Sequence, residues 1–172
     1  SSGETADYIM NLIGKESIVK KSKEMISNST ESILIACGPN MLKKLEIQLK
    51  DAEKRNIIIN FVYYGNEKIR FENVYRHKLS QPDIKNWLNI LLDVDFKEIL
   101  AGTSSISTGD GHAIWTKNVY MCNILQDNII HEIYLGMLEE KLGFEYIRGI
   151  TGRVPEMLWD KAMVKFKENF KL

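Results

Sequence analysis

Apolar residues recur along this chain in two rhythms. Ile18, Val19, Met25 and Ile26 return at helical spacing with Ser22 among them, while Lys15, Lys20, Lys21 and Lys23 fill the other side. That pattern predicts an amphipathic helix from Gly14 to about Ser27-Asn28. Residues 32–37 form an apolar run too short for a helix and closed by Gly38-Pro39, so they predict a buried strand. A second helix follows, with Pro39 in its first turn and Leu42, Leu45, Leu49 and Ala52 along one stripe. It ends at Arg55-Asn56, where Asn tolerates the left-handed conformation that commonly closes a helix. Residues 57–64 are mostly β-branched or aromatic, which predicts a strand buried on both faces. The sequence thus spells β-α-β with a crossover of ~20 residues, implying parallel pairing and a right-handed connection.

Beyond Gly65 the runs shorten. Residues 73–77, 89–94, 98–101, 113–116 and 119–124 predict the strands of an antiparallel meander, with Asp95-Phe96 and Lys117-Asn118 as hairpin turns. Residues 102–111, TSSISTGD between two glycines, predict a polar loop. Ile129, Ile130, Ile133, Tyr134, Met137 and Leu138 then mark a helix stopped at Gly143. A last helix after Pro155 carries Leu158, Ala162, Met163, Phe166 and Phe170, a stripe that must pack on something. The expected fold class is α/β, a mixed sheet flanked by helices with a C-terminal helix added. The expected divisions are a linker over 1–13 opening with Ser1-Ser2-Gly3 as a cloning remnant, a main domain over 14–145, and a helical extension over 146–172. No repeat or Pro/Gly/Ser linker marks a further domain.

Composition narrows the function classes. The chain has 172 residues with 23 Lys+Arg against 23 Asp+Glu and 44% hydrophobic residues, enough for a core without a disulfide or metal. A net charge of zero with no Lys/Arg block removes the electrostatic basis for tracking phosphates, so any service to DNA belongs to another module. Cys37 and Cys122 form no spaced pair and read as buried free thiols of a cytoplasmic protein. No window reaches the ~18 apolar residues of a membrane span, and the first 30 residues hold no signal core, so no membrane partner is expected.

Candidate chemistry is sparse. His77-Lys78 followed by Asp83 invites comparison with the His-x-Lys-x4-Asp of phosphodiesterases, but adjacent strand residues point to opposite faces. His77, His112, His131, Cys37 and Cys122 lack the spacings that make metal ligands local neighbours. No nucleophile elbow, dinucleotide fingerprint or Walker lysine is present. No cofactor is therefore expected. What remains is a binding-type set: Thr103, Ser104, Ser105, Asp110, His112, Trp115 and Asn118, with Lys117 beside them and Trp87 upstream. Hydroxyls, an amide, a carboxylate and an indole face are the groups that hold a polyhydroxylated ligand. Trp115 fits a core aromatic equally well.

Residues 7–18 (DYIMNLIGKESI), 26–36 (ISNSTESILIA) and 45–59 resemble the effector domain of TrmB-type transcriptional regulators. So do 98–102 (EILAG), 113–118 (AIWTKN) and 130–135 (IHEIYL), and the likeness spans about 7–145. Members of that family join an N-terminal winged helix-turn-helix to a non-catalytic domain resembling one phospholipase D lobe. The resemblance implies a sensing and dimerisation module for a sugar or other small metabolite, with DNA read through a module not recognisable in this sequence. It also implies lost chemistry. With Asp93 as the motif Asp, Asn86 and Leu88 occupy the His and Lys positions; with Asp95, Leu88 and Ile90 do. Lys97 to Thr103 remains as structure. Asn56 stands where relatives often carry Gly, and the helix after Pro155 lies beyond the likeness. Two other readings stay open: a dimerisation or protein-interaction module that binds no ligand, with the stripes over 129–142 and 158–170 as its interface, and a phosphodiesterase.

Overall fold

The computed structural model describes residues 8–76 and 87–170. It is one seven-stranded mixed sheet with helices on both faces. In chain order the elements are β1 (Ile9–Ile13), α1 (Lys15–Ser27), β2 (Ser32–Cys37), α2 (Pro39–Lys54), β3 (Ile58–Tyr63), β4 (Asn73–Arg76), β5 (Trp87–Val94), β6 (Glu98–Ser105), β7 (Gly111–Thr116), α3 (Val119–Leu142), α4 (Phe144–Thr151) and α5 (Val154–Phe170). The strand order is β1-β7-β6-β5-β2-β3-β4. β2, β3 and β4 are parallel neighbours, whereas β2-β5, β5-β6, β6-β7 and β7-β1 are antiparallel.

The β-α-β start is as the pattern predicts. The stripes of α1 and α2 cover one face of the sheet, where Ile18, Met25, Leu45 and Leu49 meet Ile33, Ile35, Phe61, Leu92, Leu100 and Trp115. Arg55, closing α2, donates to Ile26 O (2.9 Å) and Ser29 O, tying down the C-terminus of α1. Asn56 takes φ 64°, the left-handed turn expected of it. On the opposite face α3 lays Ile129 and Ile133 over Leu34, Ala36, Val62 and Leu91, a smaller apolar cluster. Gly136 brings α3 close to β4, since a Cβ there would stand 3.1 Å from Tyr75 Cβ.

Several expectations are corrected. β4 is not a meander strand but pairs parallel to β3, extending the parallel half. Its expected end at His77 lies outside the described residues, as do Lys78 and Asp83. Residues 119–124 are the first turns of α3, and Lys117-Asn118 is a strand-to-helix junction. There Asn118 Oδ1 accepts from Met121 N (3.0 Å), a side-chain cap that starts a helix where β-prone residues suggested a strand. Residues 102–111 are no open loop. β6 runs through Ser105, β7 starts at Gly111, and a tight turn joins them, with Ser105 N donating to Asp110 O (2.7 Å). From Ile9 onward, the expected linker is an edge strand on β7. Gly143 (φ 81°) and Gly152 (φ 61°) bracket α4, a short helix between the expected stop at Gly143 and the last helix, where the pattern assigns no element.

Candidate functional site

Pairing register places one end of the sheet residue by residue. His112 faces Ile13 and Thr103; Gly111 faces Ser104; Ser105 faces Trp87; Ile90 faces Cys37, which faces Tyr63, which faces Arg76. The carboxyl ends of β2, β3, β4 and β6 therefore share an edge. α1 begins there, because Gly14 N donates to Gly111 O (2.8 Å) and Lys15 N to Gly109 O (3.0 Å). α2 begins there too, directly after Cys37 through Gly38. Neither helix has a side chain capping its first turn. Two positive dipole ends thus meet the sheet edge on one face.

Ser104 lies on that same face of β6. It is 1% exposed and its Oγ has no hydrogen-bond partner. A Cβ on Gly111 would stand 2.4 Å from Ser104 Cβ and 3.1 Å from Ile18 Cδ1, so Ser104 lies beneath the first turn of α1. Toward β3 the edge carries Tyr63, whose hydroxyl donates to Glu67 Oε2 (3.1 Å) while Arg76 donates to Glu67 O (2.8 Å). Burial and the Glu67 contact push the Tyr63 phenol up to about 12.

The candidate binding residues divide. Thr103, Ser104, Ser105, Asp110 and His112 gather at this edge. Alternation turns Ser104 toward α1, and Thr103, Ser105 and His112 toward the face of α3. Thr103 Oγ1 donates to Asn89 Oδ1, and Ser105 Oγ accepts from Thr108 N (3.3 Å), holding the turn. Asp110 and His112 are exposed. Trp115 lies ~13 Å along β7 from Gly111. It is 6% exposed in the core, donates from Nε1 to Glu98 Oε2 (2.7 Å), and carries Lys21 Nζ over its ring at 4.2 Å. Asn118 is the cap of α3. These two are separated from the edge and occupied by structural contacts. Trp87 opens β5.

Two carboxylates in the β5-β6 hairpin went unnoticed as polar anchors. Asp93 is fully buried beneath α3, accepts from Phe96 N (2.9 Å) through Oδ1, and leaves Oδ2 without a well-formed bond. Burial pushes its carboxyl up to about 6 against the partial relief of Gln126 and the Phe96 N–H, and Asp95 and Glu98 push the same way as burial. Its sequence signal was a carboxylate inside the run Leu91-Leu92-Asp93-Val94. Asp95 accepts from Thr30 N, Glu31 N and Ser32 N and from Thr30 Oγ1, at 2.7 to 3.2 Å. Burial raises its pKa, but these donors outweigh that and hold it below the ordinary carboxylate range. Asp95 and Phe96 both take positive φ (57° and 53°), the two-residue hairpin that the sequence predicts. Asp95 is thus the turn Asp of the hairpin, which leaves Leu88 and Ile90 at the His and Lys positions. Ile90 is buried in the core. Among the described residues no group of three His, Cys, Asp or Glu side chains could hold a metal. Nor is any helix there long and apolar enough to cross a membrane.

This arrangement of sheet and helices is that of a phospholipase D-type lobe. The fold matches NucT from Helicobacter pylori with a TM-score of 0.57 at 14% identity, over 74% of this chain and 97% of that one. It matches Nuc from Salmonella typhimurium, a phospholipase D family member, at 0.51 and 11% over 73% and 93% of the two chains. TrmBL2, described as an archaeal chromatin protein with a novel mode of DNA binding, matches at 0.55 and 14%, over 76% of this chain and 54% of that one. At those identities the likeness is one of fold.

The family is set by sequence. A family model for the N-terminal subdomain of the effector-binding domain of the transcriptional regulator TrmB matches residues 8–134, and the chain belongs to that family. An uncharacterised protein of Bacillus subtilis (strain 168), YrhO, is 30% identical over 154 residues, covering 83% of this chain. The chain spans 55% of that relative's length. Apolar Leu88 and Ile90 stand in place of the His and Lys of the phosphodiesterase motif, and the family that matches is that of a transcriptional regulator's effector-binding domain.

Proposed function

We propose that this domain is the sensing and pairing half of a TrmB-type regulator, acting in the cytoplasm, and that it binds a small polar metabolite, a sugar or sugar phosphate, at the edge shared by β6, β7 and the starts of α1 and α2. The observation that carries the reading is the convergence there of two helix N-termini without side-chain caps and the buried, unpartnered hydroxyl of Ser104. A buried hydroxyl without a partner costs ~1–3 kcal/mol, and the positive end of a helix dipole favours an oxygen-rich or anionic ligand. Asp110 adds a polar group in the turn at this edge, whereas Thr103, Ser105 and His112 face the α3 side of the sheet, and Trp115 and Asn118 are structural. DNA contact is left to a module outside this domain, in keeping with its zero net charge.

Thermal melting against a panel of sugars and sugar phosphates tests this reading. A ligand at about 100 times its Kd adds ~2.7 kcal/mol, a rise of several degrees. Ser104→Ala should raise the melting temperature of the free domain by removing an unsatisfied hydroxyl, and weaken the response to the ligand. If no compound stabilises the domain, or if Ser104→Ala leaves the response intact, the site is not here. A second reading, a pairing module with no ligand, is favoured by the bare apolar sides of α3 and α5. A domain that dimerises and responds to no compound would decide for it.

A further inference from the structure

α3 rests on two different floors. Its second half lays Ile129 and Ile133 on Leu34, Ala36, Val62 and Leu91. Its first half lies over a polar layer. Asp93 is buried there, with Oδ1 held by Phe96 N and Oδ2 without a well-formed bond. Gln126 of α3 reaches toward it, and its Nε2 is buried with no partner of good geometry among the described residues. Ser32 of β2 turns the same way, since Leu34 two positions on pairs with Asp93, and its Oγ is buried and unpartnered as well. Three elements thus bring three unsatisfied polar atoms to one side of the sheet. Buried polar groups are nearly always paired, so a group of exceptions marks a place where the closed arrangement is weakly held. Little else holds the first half of α3 down. Val119, Tyr120 and Ile124 are 69%, 80% and 62% exposed, while Cys122 is buried with Sγ 3.7 Å from Thr116 O and 3.8 Å from Lys97 O.

We propose that Asp93 is a proton switch for the first half of α3: with the carboxyl protonated, residues 119–128 lie closed on the sheet, and with it ionised they open away from β5 and β6. The protonated acid can donate through Oδ2 to the amide oxygen of Gln126, which completes the layer. The carboxylate keeps only Phe96 N and the partial relief of Gln126 in place of the water it has lost. The charges that face it work against it. Asp95 in its own hairpin and Glu98 on β6 are both negative. Ser32 of β2 and Gln126 of α3 bring no charge, and burial keeps the Cys122 thiol of α3 protonated. Burial accordingly lifts the Asp93 carboxyl to about 6. Once α3 opens, the carboxyl meets water and returns to the ordinary range near 4. The closed form therefore has its full advantage below about pH 4 and loses it as pH rises to 6, and the open fraction grows about tenfold between pH 5 and pH 7. The opening is local, because Ile129 and Ile133 keep the second half on its apolar floor. It lies on the sheet face away from Ser104 and stands apart from the ligand reading.

Hydrogen exchange of the whole chain, read by mass spectrometry and corrected for the intrinsic effect of pH, tests the switch. From pH 5 to pH 7 the amides of residues 122–128 should lose about tenfold in protection. At pH 7 they should exchange at least about tenfold faster than those of α1 and α2, and low urea should leave their rate unchanged, since a local opening exposes little surface. Asp93→Asn should keep them equally protected at both pH values. Gln126→Leu removes the relief that the amide gives the carboxylate, so it should carry the loss of protection on to higher pH, a reading that holds even if Asp93→Asn folds poorly. Cys122 gives a second signal: at pH 7 a thiol reagent should label it at least about tenfold faster in the wild type than in Asp93→Asn, while Cys37 in the core of the other face stays silent. Protection of residues 122–128 that is the same at pH 5 and pH 7, that equals that of α1 and α2 at pH 7, or that changes in Asp93→Asn as it does in the wild type overturns the proposal.

Discussion

Asp93 and Asp95 stand two positions apart in one hairpin and titrate in opposite directions. Asp93 faces the underside of α3, where burial lifts its carboxyl to about 6. The folded state holds that proton more tightly than the unfolded chain does. Stability tied to it is therefore complete below about pH 4 and is lost as pH rises through 6. Asp93→Asn should accordingly gain on the wild type between pH 5 and 7.5, by on the order of 1 kcal/mol, read as the melting-temperature difference across that range. Asp95 is held below the usual range by four donors from 30–32. Its contribution is present above about pH 4 and fades as pH falls through its lowered pKa. Asp95→Ala should cost about 2 kcal/mol at pH 7 in urea unfolding, with the gap to wild type closing in acid. Both residues were visible as carboxylates near an apolar run. The donors to Asp95 lie 63 to 65 positions away and Gln126, beside Asp93, lies on α3, separations that no local pattern encodes.

Elements were legible where one face meets the core and the other meets water. α1, α2, β2 and β3 have that contrast or a closed apolar run, and their ends sit within a residue or two of the pattern. α3 misleads because it is apolar on both sides: Cys122 and Ile129 face the sheet while Tyr120, Ile124 and Tyr134 face outward. Without contrast its first turns read as a strand, and the Asn118 cap decides the matter. The β6-β7 hairpin hid behind its polar residues for a related reason, since an unaccompanied Gly suggested a loop. Gly102 is in fact a close approach, where a Cβ would stand 2.2 Å from Ala113 Cβ and 2.6 Å from His112 O. Gly102→Ala should therefore cost more than about 2 kcal/mol in thermal or chemical unfolding, because backbone must move. Gly149→Ala on α4, with open space around it, should instead gain about 0.5–1 kcal/mol by helix propensity.

At the scale of the whole molecule, the sheet edge at Ser104 and the exposed sides of α3, α4 and α5 are different surfaces joined by one rigid sheet. If the domain pairs as proposed and a ligand at the edge favours one arrangement of the pair, linkage requires that pairing alter ligand affinity by the same factor. Dimer dissociation constants measured with and without a stabilising compound should then differ by about 5- to 150-fold, and equal values would uncouple the two surfaces. The sequence by itself determined the α/β class, the parallel β-α-β start, the Asp95-Phe96 turn and the absence of the phosphodiesterase His and Lys, because each is written in neighbouring residues or local periodicity. Only the tertiary structure decided that β4 joins the parallel half, that residues 9–13 complete the sheet, that Trp115 is a core residue while Ser104 is buried without a partner, and that α5 stands clear of its own lobe. Those outcomes depend on which strands become neighbours and what each face meets, and long-range packing alone sets that.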